Sequence, residues 1–156
     1  MGRKSTKINK SIYQQCRESC DMTRADVADK SENLLTESRL EKIENFSTMA
    51  RPEDIIIMSK VYNKPEICNY YCTNECQIGK KYVSSIETIH ELPQITLELL
   101  SSLNTLNHFK ERIIDITADG TITNDEKKDF EKFREHLSEM SQAIETLKLW
   151  ADKELN

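Results

Sequence analysis

The chain has 156 residues, enough for one domain or for a small domain with an appendage. Charged residues make up 31% of it, and three glycines and three prolines suit long helices better than an all-β fold. No apolar run approaches the length of a membrane span and no signal-peptide pattern opens the sequence, so we expect a cytoplasmic protein without membrane contact. In that compartment the five cysteines are expected to be thiols or metal ligands.

Charge is unevenly distributed along the chain, whose formal net charge is −5. Residues 1–51 hold ten basic and eight acidic residues, whereas residues 52–156 hold twelve basic and nineteen acidic ones. The first ten residues carry no acid and four basic side chains: Arg3, Lys4, Lys7 and Lys10. Such an arm could contact DNA phosphates or the minor groove, and a solvated tail is the equally open alternative.

The stretch Thr23 to Asn45 predicts two short helices joined by a turn. Thr23 is a favourable N-cap, and Asp26 three residues later can hold the first helical turn. The polar run 31–33 interrupts the helical pattern. Thr36 can then cap a second helix, which places Leu40 and Ile43 on its inner face.

Helices are predicted on both sides of this stretch. Before it, Ile12, Cys16 and Cys20 are spaced four residues apart, which indicates a helix over residues 10–20. After it, Pro52 suits the first turn of a helix that ends near Pro65, and a further helix is predicted over residues 65–72. The first 76 residues are therefore predicted to contain five helices.

The strings RLEKIEN and RPEDIIIMSKVYNKPEICNYYC resemble the phage-repressor, or Xre-type, helix-turn-helix family over roughly residues 8–72. The resemblance implies a five-helix repressor-like domain in residues 8–76, with Arg17 in the first helix paired to Glu44 in the third. It also implies a bacterial or phage transcriptional regulator whose third helix enters the major groove of double-stranded DNA.

The same resemblance implies a set of DNA-contacting residues. Arg24 would contact a phosphate from the start of the second helix. The groove-facing residues would be those at the start of the third helix: Thr36, Glu37, Ser38, Arg39 and Lys42. Arg39 would be the candidate for a bidentate contact to guanine. Because glutamates outnumber cations on that helix, a protein-interaction module without DNA binding stays open as an alternative.

Three cysteines in residues 68–76 form a possible metal site. Cys68, Cys72 and Cys76 recur at every fourth residue and share one stripe if the helix continues that far. Their thiolates could bind zinc or an iron–sulfur cluster, which would indicate a metal- or redox-responsive regulator. The alternative places Cys68 and Cys72 in the core and Cys76 in a loop. Because the usual second ligand pair is missing, we expect no metal and no other cofactor.

Nothing in the sequence indicates an enzyme. No serine lies in a nucleophile-elbow pattern, and no glycine-rich loop precedes a helix. The three histidines are scattered and have no evident catalytic partner. We therefore predict no catalytic residues.

A connector with a turn at Gly79 is predicted over residues 77–91, followed by a long antiparallel helical hairpin over residues 92–155. A turn at Gly120 separates its helices, and Thr123 with Glu126 forms a capping box for the second. Heptad positions a and d of the first helix are Leu92, Ile95, Leu99, Leu106, Phe109, Ile113 and Ile116. Those of the second helix are Phe130, Phe133, Leu137, Met140, Ile144, Leu147 and Ala151.

Apolar residues beside these positions make each stripe too broad for one partner helix to cover. Leu100, Leu103 and Trp150 lie outside the a and d series. We therefore expect two chains to form a homodimer through a coiled-coil, four-helix arrangement of their hairpins. A hairpin folded back on the first domain, or a protein partner bound to the acidic hairpin, are the alternatives.

Overall fold

A computed structural model describes residues 9–86 and 89–155, and every regular element within these two ranges is a helix. The helices are α1 (Ile12–Ser19), α2 (Arg24–Lys30), α3 (Glu37–Glu44), α4 (Pro52–Tyr62), α5 (Glu66–Asn74), α6 (Gly79–Tyr82), α7 (Leu92–Thr117) and α8 (Lys127–Leu155). The predicted all-α class is confirmed. The chain divides into two compact units, Met1–Val83 and Ser84–Asn156, and α7 contacts α8 in the second.

Helices α1 to α5 enclose one apolar core. Val27 from α2, Leu40 from α3 and Met58 from α4 are fully buried, as is Leu35 in the connection before α3. Other members of the core are Tyr13, Cys16, Ile43, Ala50, Ile55, Tyr62 and Ile67. The inward-facing pattern of α3 is thus the one that its spacing of apolar residues predicts.

The predicted N-caps of α2 and α3 are confirmed. Thr23 Oγ1 accepts from the Asp26 backbone N–H at 3.1 Å, and Asp26 Oδ2 accepts from the Thr23 N–H at 2.7 Å. Thr36 Oγ1 accepts from the Arg39 backbone N–H at 3.3 Å. These bonds satisfy backbone donors that a helix start leaves unpaired, so local chemistry fixes where each helix begins.

The turn between α2 and α3 uses two consecutive residues in the left-handed region. Glu32 and Asn33 have φ values of 52° and 60°. Ser31 Oγ donates to the Ala28 carbonyl at 3.0 Å and accepts from the Leu35 N–H at 3.2 Å. The turn therefore closes through side-chain hydrogen bonds, without the glycine that left-handed positions favour.

Helix α6 corrects the prediction of a turn at Gly79. This glycine is buried, and a Cβ built on it would lie 2.2 Å from the carbonyl oxygen of Cys72. The backbone of α6 thus packs directly against α5, which requires a residue without a side chain. Helix α5 ends at Asn74, so Cys76 lies beyond it and does not extend a helical stripe with Cys68 and Cys72.

The helical hairpin forms as predicted, with a difference in α8. Gly120 has a φ of 74° in the turn, and Thr123 donates from both its N–H and its hydroxyl to Glu126 Oε2, at 2.9 and 2.7 Å. In the seam, Ile95 and Ile116 of α7 are buried.

The buried face of α8 differs from the predicted heptad positions. Its buried residues are Ala143, Thr146 and Leu149, whereas Leu137 at a predicted core position is 43% exposed. The segment before α7 also contacts α8, since Gln142 Nε2 donates to the Ser85 carbonyl at 3.1 Å, and both of these residues are exposed. A heptad pattern registers only helix–helix contacts and does not predict contacts with a non-helical segment.

Replacing Gly79 by alanine is expected to lower the free energy of unfolding by about 2 kcal/mol, because the added methyl group meets backbone that cannot rotate away. Chemical denaturation followed by circular dichroism measures this. Replacing exposed Lys80, in the same short helix, by alanine is the matched control and should change stability little. Equal stability of both variants would contradict the close packing of α6 on α5.

Candidate nucleic-acid interface

One buried carboxylate joins the first three helices. Glu44 of α3 is 1% exposed, and its two oxygens accept from Arg17 Nε at 2.6 Å and Arg17 Nη2 at 2.9 Å. Arg24 Nε at the start of α2 donates to the same carboxylate at 2.8 Å. Arg17 Nη1 also donates to the Met22 carbonyl at 2.7 Å, in the connection between α1 and α2. The implied Arg17–Glu44 pair is present and holds α3 in place.

The charge of Arg17 is stabilised by its buried partner. Burial alone lowers the pKa of the Arg17 guanidinium, but its hydrogen bonds and charge interaction with Glu44 raise that pKa above the ordinary value. A bidentate guanidinium–carboxylate contact fixes the relative orientation of the two side chains as well as the distance between them. Removal of Glu44 would leave the desolvated Arg17 guanidinium without its charged partner, and removal of Arg17 would leave the buried Glu44 carboxylate with Arg24 alone.

A second ion pair uses Arg39, the residue implied to contact guanine. Arg39 Nη2 lies 2.6 Å from Asp54 Oδ2 at the start of α4 and 3.1 Å from the Met49 carbonyl oxygen. The hydrogen bond with Asp54 raises the pKa of this guanidinium. Asp54 also accepts from the Arg51 backbone N–H at 2.8 Å. Arg39 therefore ties α3 to the next helix, a role that sequence reasoning missed.

The exposed face of α3 carries hydroxyl and charged side chains, and acidic residues outnumber basic ones. Its exposed members, including the capping residue, are Thr36, Glu37, Ser38, Glu41 and Lys42. Arg24 directs its guanidinium toward Glu44 and also reaches Glu41 Oε1 at 3.3 Å. Within the described residues Lys42 takes part in no ion pair, so its charge is available at this face.

The basic arm lies largely beyond the described part of the chain. Lys4 and Lys7 fall outside the described residues. Lys10 is described, and its Nζ lies 2.6 Å from Glu18 Oε2 of α1. The charge of Lys10 is therefore partly neutralised by its own domain.

Two exposed apolar residues follow α3 and were not identified from the sequence. Phe46 is 72% exposed and Met49 is 76% exposed, and both border a cleft of about 360 Å³ with Tyr13 in its wall. Phe46 has a φ of 59°, directly after the C-cap Asn45. Glycine is the usual residue at that position. Phe46 occupies a position after a helix C-terminus where glycine is usual, and this was the sequence signal that could have identified it.

The cysteine thiols are held within the protein fold. Cys20 Sγ lies 3.5 Å from the Tyr62 carbonyl oxygen, and Cys76 Sγ accepts from the Gly79 N–H at 3.4 Å. Burial raises the pKa of the Cys16 thiol. Across residues 9–86 and 89–155, no group of three or more His, Cys, Asp or Glu side chains is arranged to hold a metal ion. Cys68 packs against the core instead.

Comparison with family models, curated proteins and solved structures finds no match to this chain. In the described parts of the sequence, no helix combines the length and hydropathy that crossing a membrane requires. The functional argument therefore depends on the charges and geometry of the residues themselves.

Replacing Arg17 or Glu44 by alanine is expected to lower the free energy of unfolding by about 3 kcal/mol in each case, because the remaining charge stays buried. Urea titration followed by circular dichroism measures the loss. The control is Lys64→Ala, which removes a partly exposed pair with Glu66 at 3.7 Å and should cost less than about 1 kcal/mol. Comparable small losses in all three variants would contradict the structural role of the buried pair.

Replacing Phe46 by glycine and by alanine tests the backbone strain after α3. The glycine variant is expected to be more stable than the alanine variant by about 1 kcal/mol, because only alanine keeps a Cβ at positive φ. Both changes remove the same exposed ring, so lost ring contacts cancel in the comparison. Thermal unfolding of the two variants provides the measurement, and a more stable alanine variant would refute the strain.

Proposed function

We propose that this chain is a cytoplasmic, non-enzymatic transcriptional regulator of bacterial or phage type that binds double-stranded DNA. In this proposal α1 to α5 form a five-helix repressor-like domain, and α2 with α3 form its helix-turn-helix. The observation that carries the proposal is the Glu44 carboxylate held by Arg17 and Arg24. It fixes α3 against α1 and α2 while the start of α3 stays exposed, as a recognition helix requires.

The exposed start of α3 offers a limited set of DNA contacts. The hydroxyls of Thr36 and Ser38 can donate to base edges or phosphates, and the Lys42 ammonium can contact a phosphate. Lys4, Lys7 and Lys10 of the arm would add phosphate contacts beside the groove. These side chains constitute the proposed contact surface.

The two arginines implied as DNA contacts have internal partners that limit this role. Arg24 donates to Glu44, and Arg39 lies 2.6 Å from Asp54. A guanine contact that drew Arg39 away from Asp54 would leave that buried carboxylate without its main partner. We therefore assign Arg39 the positioning of α3 in the unbound domain, and we treat its base contact as the less favoured role.

A protein-interaction module without DNA binding is the second candidate, and one observation favours it. Glu37 and Glu41 occupy the exposed face of α3, while the nearby guanidiniums of Arg24 and Arg39 are engaged inside the domain. A face of this charge suits a basic protein surface better than phosphates. The acidic hairpin would offer a further site for such a partner.

Binding of the full chain to random-sequence duplex DNA at several salt concentrations tests the first candidate. We expect the logarithm of the association constant to fall linearly with the logarithm of salt concentration. Selection of bound duplexes should then enrich a common sequence, because base contacts add to the phosphate term. The absence of binding at low salt would reject the DNA-binding proposal.

Charge variants on α3 test whether its exposed face contacts DNA, because removing a positive charge and removing a negative charge should change the DNA affinity in opposite directions. Lys42→Ala is expected to weaken DNA binding and reduce the salt slope by about 1, whereas Lys60→Ala on exposed α4 surface is the matched control. Glu37→Gln and Glu41→Gln should strengthen binding, because each removes repulsion from phosphate. Unchanged affinity in all four variants would show that the exposed face of α3 does not meet DNA.

A further inference from the structure

The side of α7 that faces away from the seam with α8 carries a second heptad series. Its six members are all exposed and follow one another in steps of three, four, three, four and three residues. We name them the α7 stripe: Leu97, Leu100, Asn104, Asn107, Glu111 and Ile114. Leu97 is 68% exposed, Leu100 51% and Ile114 56%. Three large apolar side chains in one exposed coiled-coil series require a partner surface.

The surroundings of the stripe are depleted of charge. Glu98 is the one charged residue within residues 92–109, with His108 counted as neutral. Helix α8, in contrast, carries charged residues along its whole length. Depletion of charge around an apolar centre is characteristic of the core of a protein–protein interface.

Reversing the order of the stripe brings its two apolar ends, Leu97 and Ile114, opposite each other. An antiparallel copy of α7 can place Leu97 opposite Ile114 of the partner subunit and Leu100 opposite Glu111 of the partner subunit. In the same register Asn104 lies opposite Asn107 of the partner subunit, where the two amides can hydrogen-bond. The axis of this pairing passes close to the middle of Leu92–Thr117, so nearly the whole helix overlaps with its copy.

Charge favours this antiparallel register over a parallel one. A parallel in-register pair would place Glu111 directly against Glu111 of the partner subunit, which is unfavourable. The antiparallel register separates these two carboxylates by about 16 Å along the helix axes. That distance exceeds the screening length at physiological ionic strength, so the repulsion is largely removed.

We propose that two copies of this chain associate through the α7 stripe, with their α7 helices antiparallel about a two-fold axis between Asn104 and Asn107. The asparagine pair at the centre fixes the register, because a slip would place amides against leucines. This inference rests on the homodimer that the hairpin sequence predicts for the proposed regulator, and it identifies the surface of that homodimer. It concerns self-association alone and does not depend on DNA binding.

Sedimentation equilibrium of the full chain without DNA tests the pairing. The unaltered chain is expected to be a dimer at micromolar concentration. Leu97→Lys and Ile114→Glu should each raise the dimer dissociation constant at least tenfold, because each places a charge in the layer of this register where both facing side chains are apolar. The control is Leu137→Lys on α8, an exposed apolar residue outside the stripe, which should leave the dimer intact.

The double variant L97K/I114E distinguishes the two orientations. In the antiparallel register each introduced lysine faces an introduced glutamate of the other copy, so the dimer should return to within about threefold of the original dissociation constant. A parallel pair would instead bring like charges together and stay dissociated. Circular dichroism of each variant checks that the exposed substitutions leave the helices folded.

Three outcomes would overturn the proposal. These are a monomeric unaltered chain, a dimer that survives both single substitutions, or a double variant no better associated than the single ones. DNA binding is measured separately on the same proteins. An unaltered chain that is monomeric but binds DNA would reject this inference alone, whereas an unaltered chain that dimerises without binding DNA would reject the proposed function alone.

Discussion

The position of α3 depends on a single carboxylate that two guanidiniums share. Glu44 accepts from Arg17 of α1 and Arg24 of α2, and these charge-assisted bonds act where water is excluded. Apolar packing around Leu40 could tolerate a range of helix orientations, whereas a bidentate ion pair has a strong directional preference. The exposed face of α3 follows from this constraint, because the side that carries Glu44 must point inward.

The same constraint determines how much positive charge the domain can present. Arg24 and Arg39 both pair with carboxylates of the domain, so their charges hold helices together and are partly neutralised. Among the described residues, α3 then presents the Lys42 ammonium, which takes part in no ion pair, beside two exposed glutamates. The arginines that a nucleic-acid interface would otherwise use thus hold the helices of the domain together. Both candidate functions are compatible with this one arrangement.

Sequence reasoning succeeded where a feature depends on neighbouring residues. The caps at Thr23 and Thr36 are local hydrogen bonds, and α4 starts at Pro52 as its fixed φ favours. It failed where distant segments decide the outcome. The pairing of Arg39 with Asp54 joins residues in different helices, and the hydrogen bond from Gln142 to Ser85 joins residues 57 positions apart. Periodicity shows which face is apolar but not what lies against it.

In the proposed regulator, self-association would compensate for the weak electrostatic attraction of a single domain to DNA. If α3 is the recognition helix as proposed, the Lys42 ammonium is its one cation outside any ion pair among the described residues, so few counterions would be released and a single copy would bind a duplex weakly. Pairing two copies through α7 places two such domains in one molecule, and the second then binds at a high effective concentration. In the proposed pairing, the asparagine layer sacrifices some stability for a defined register of the two α7 helices.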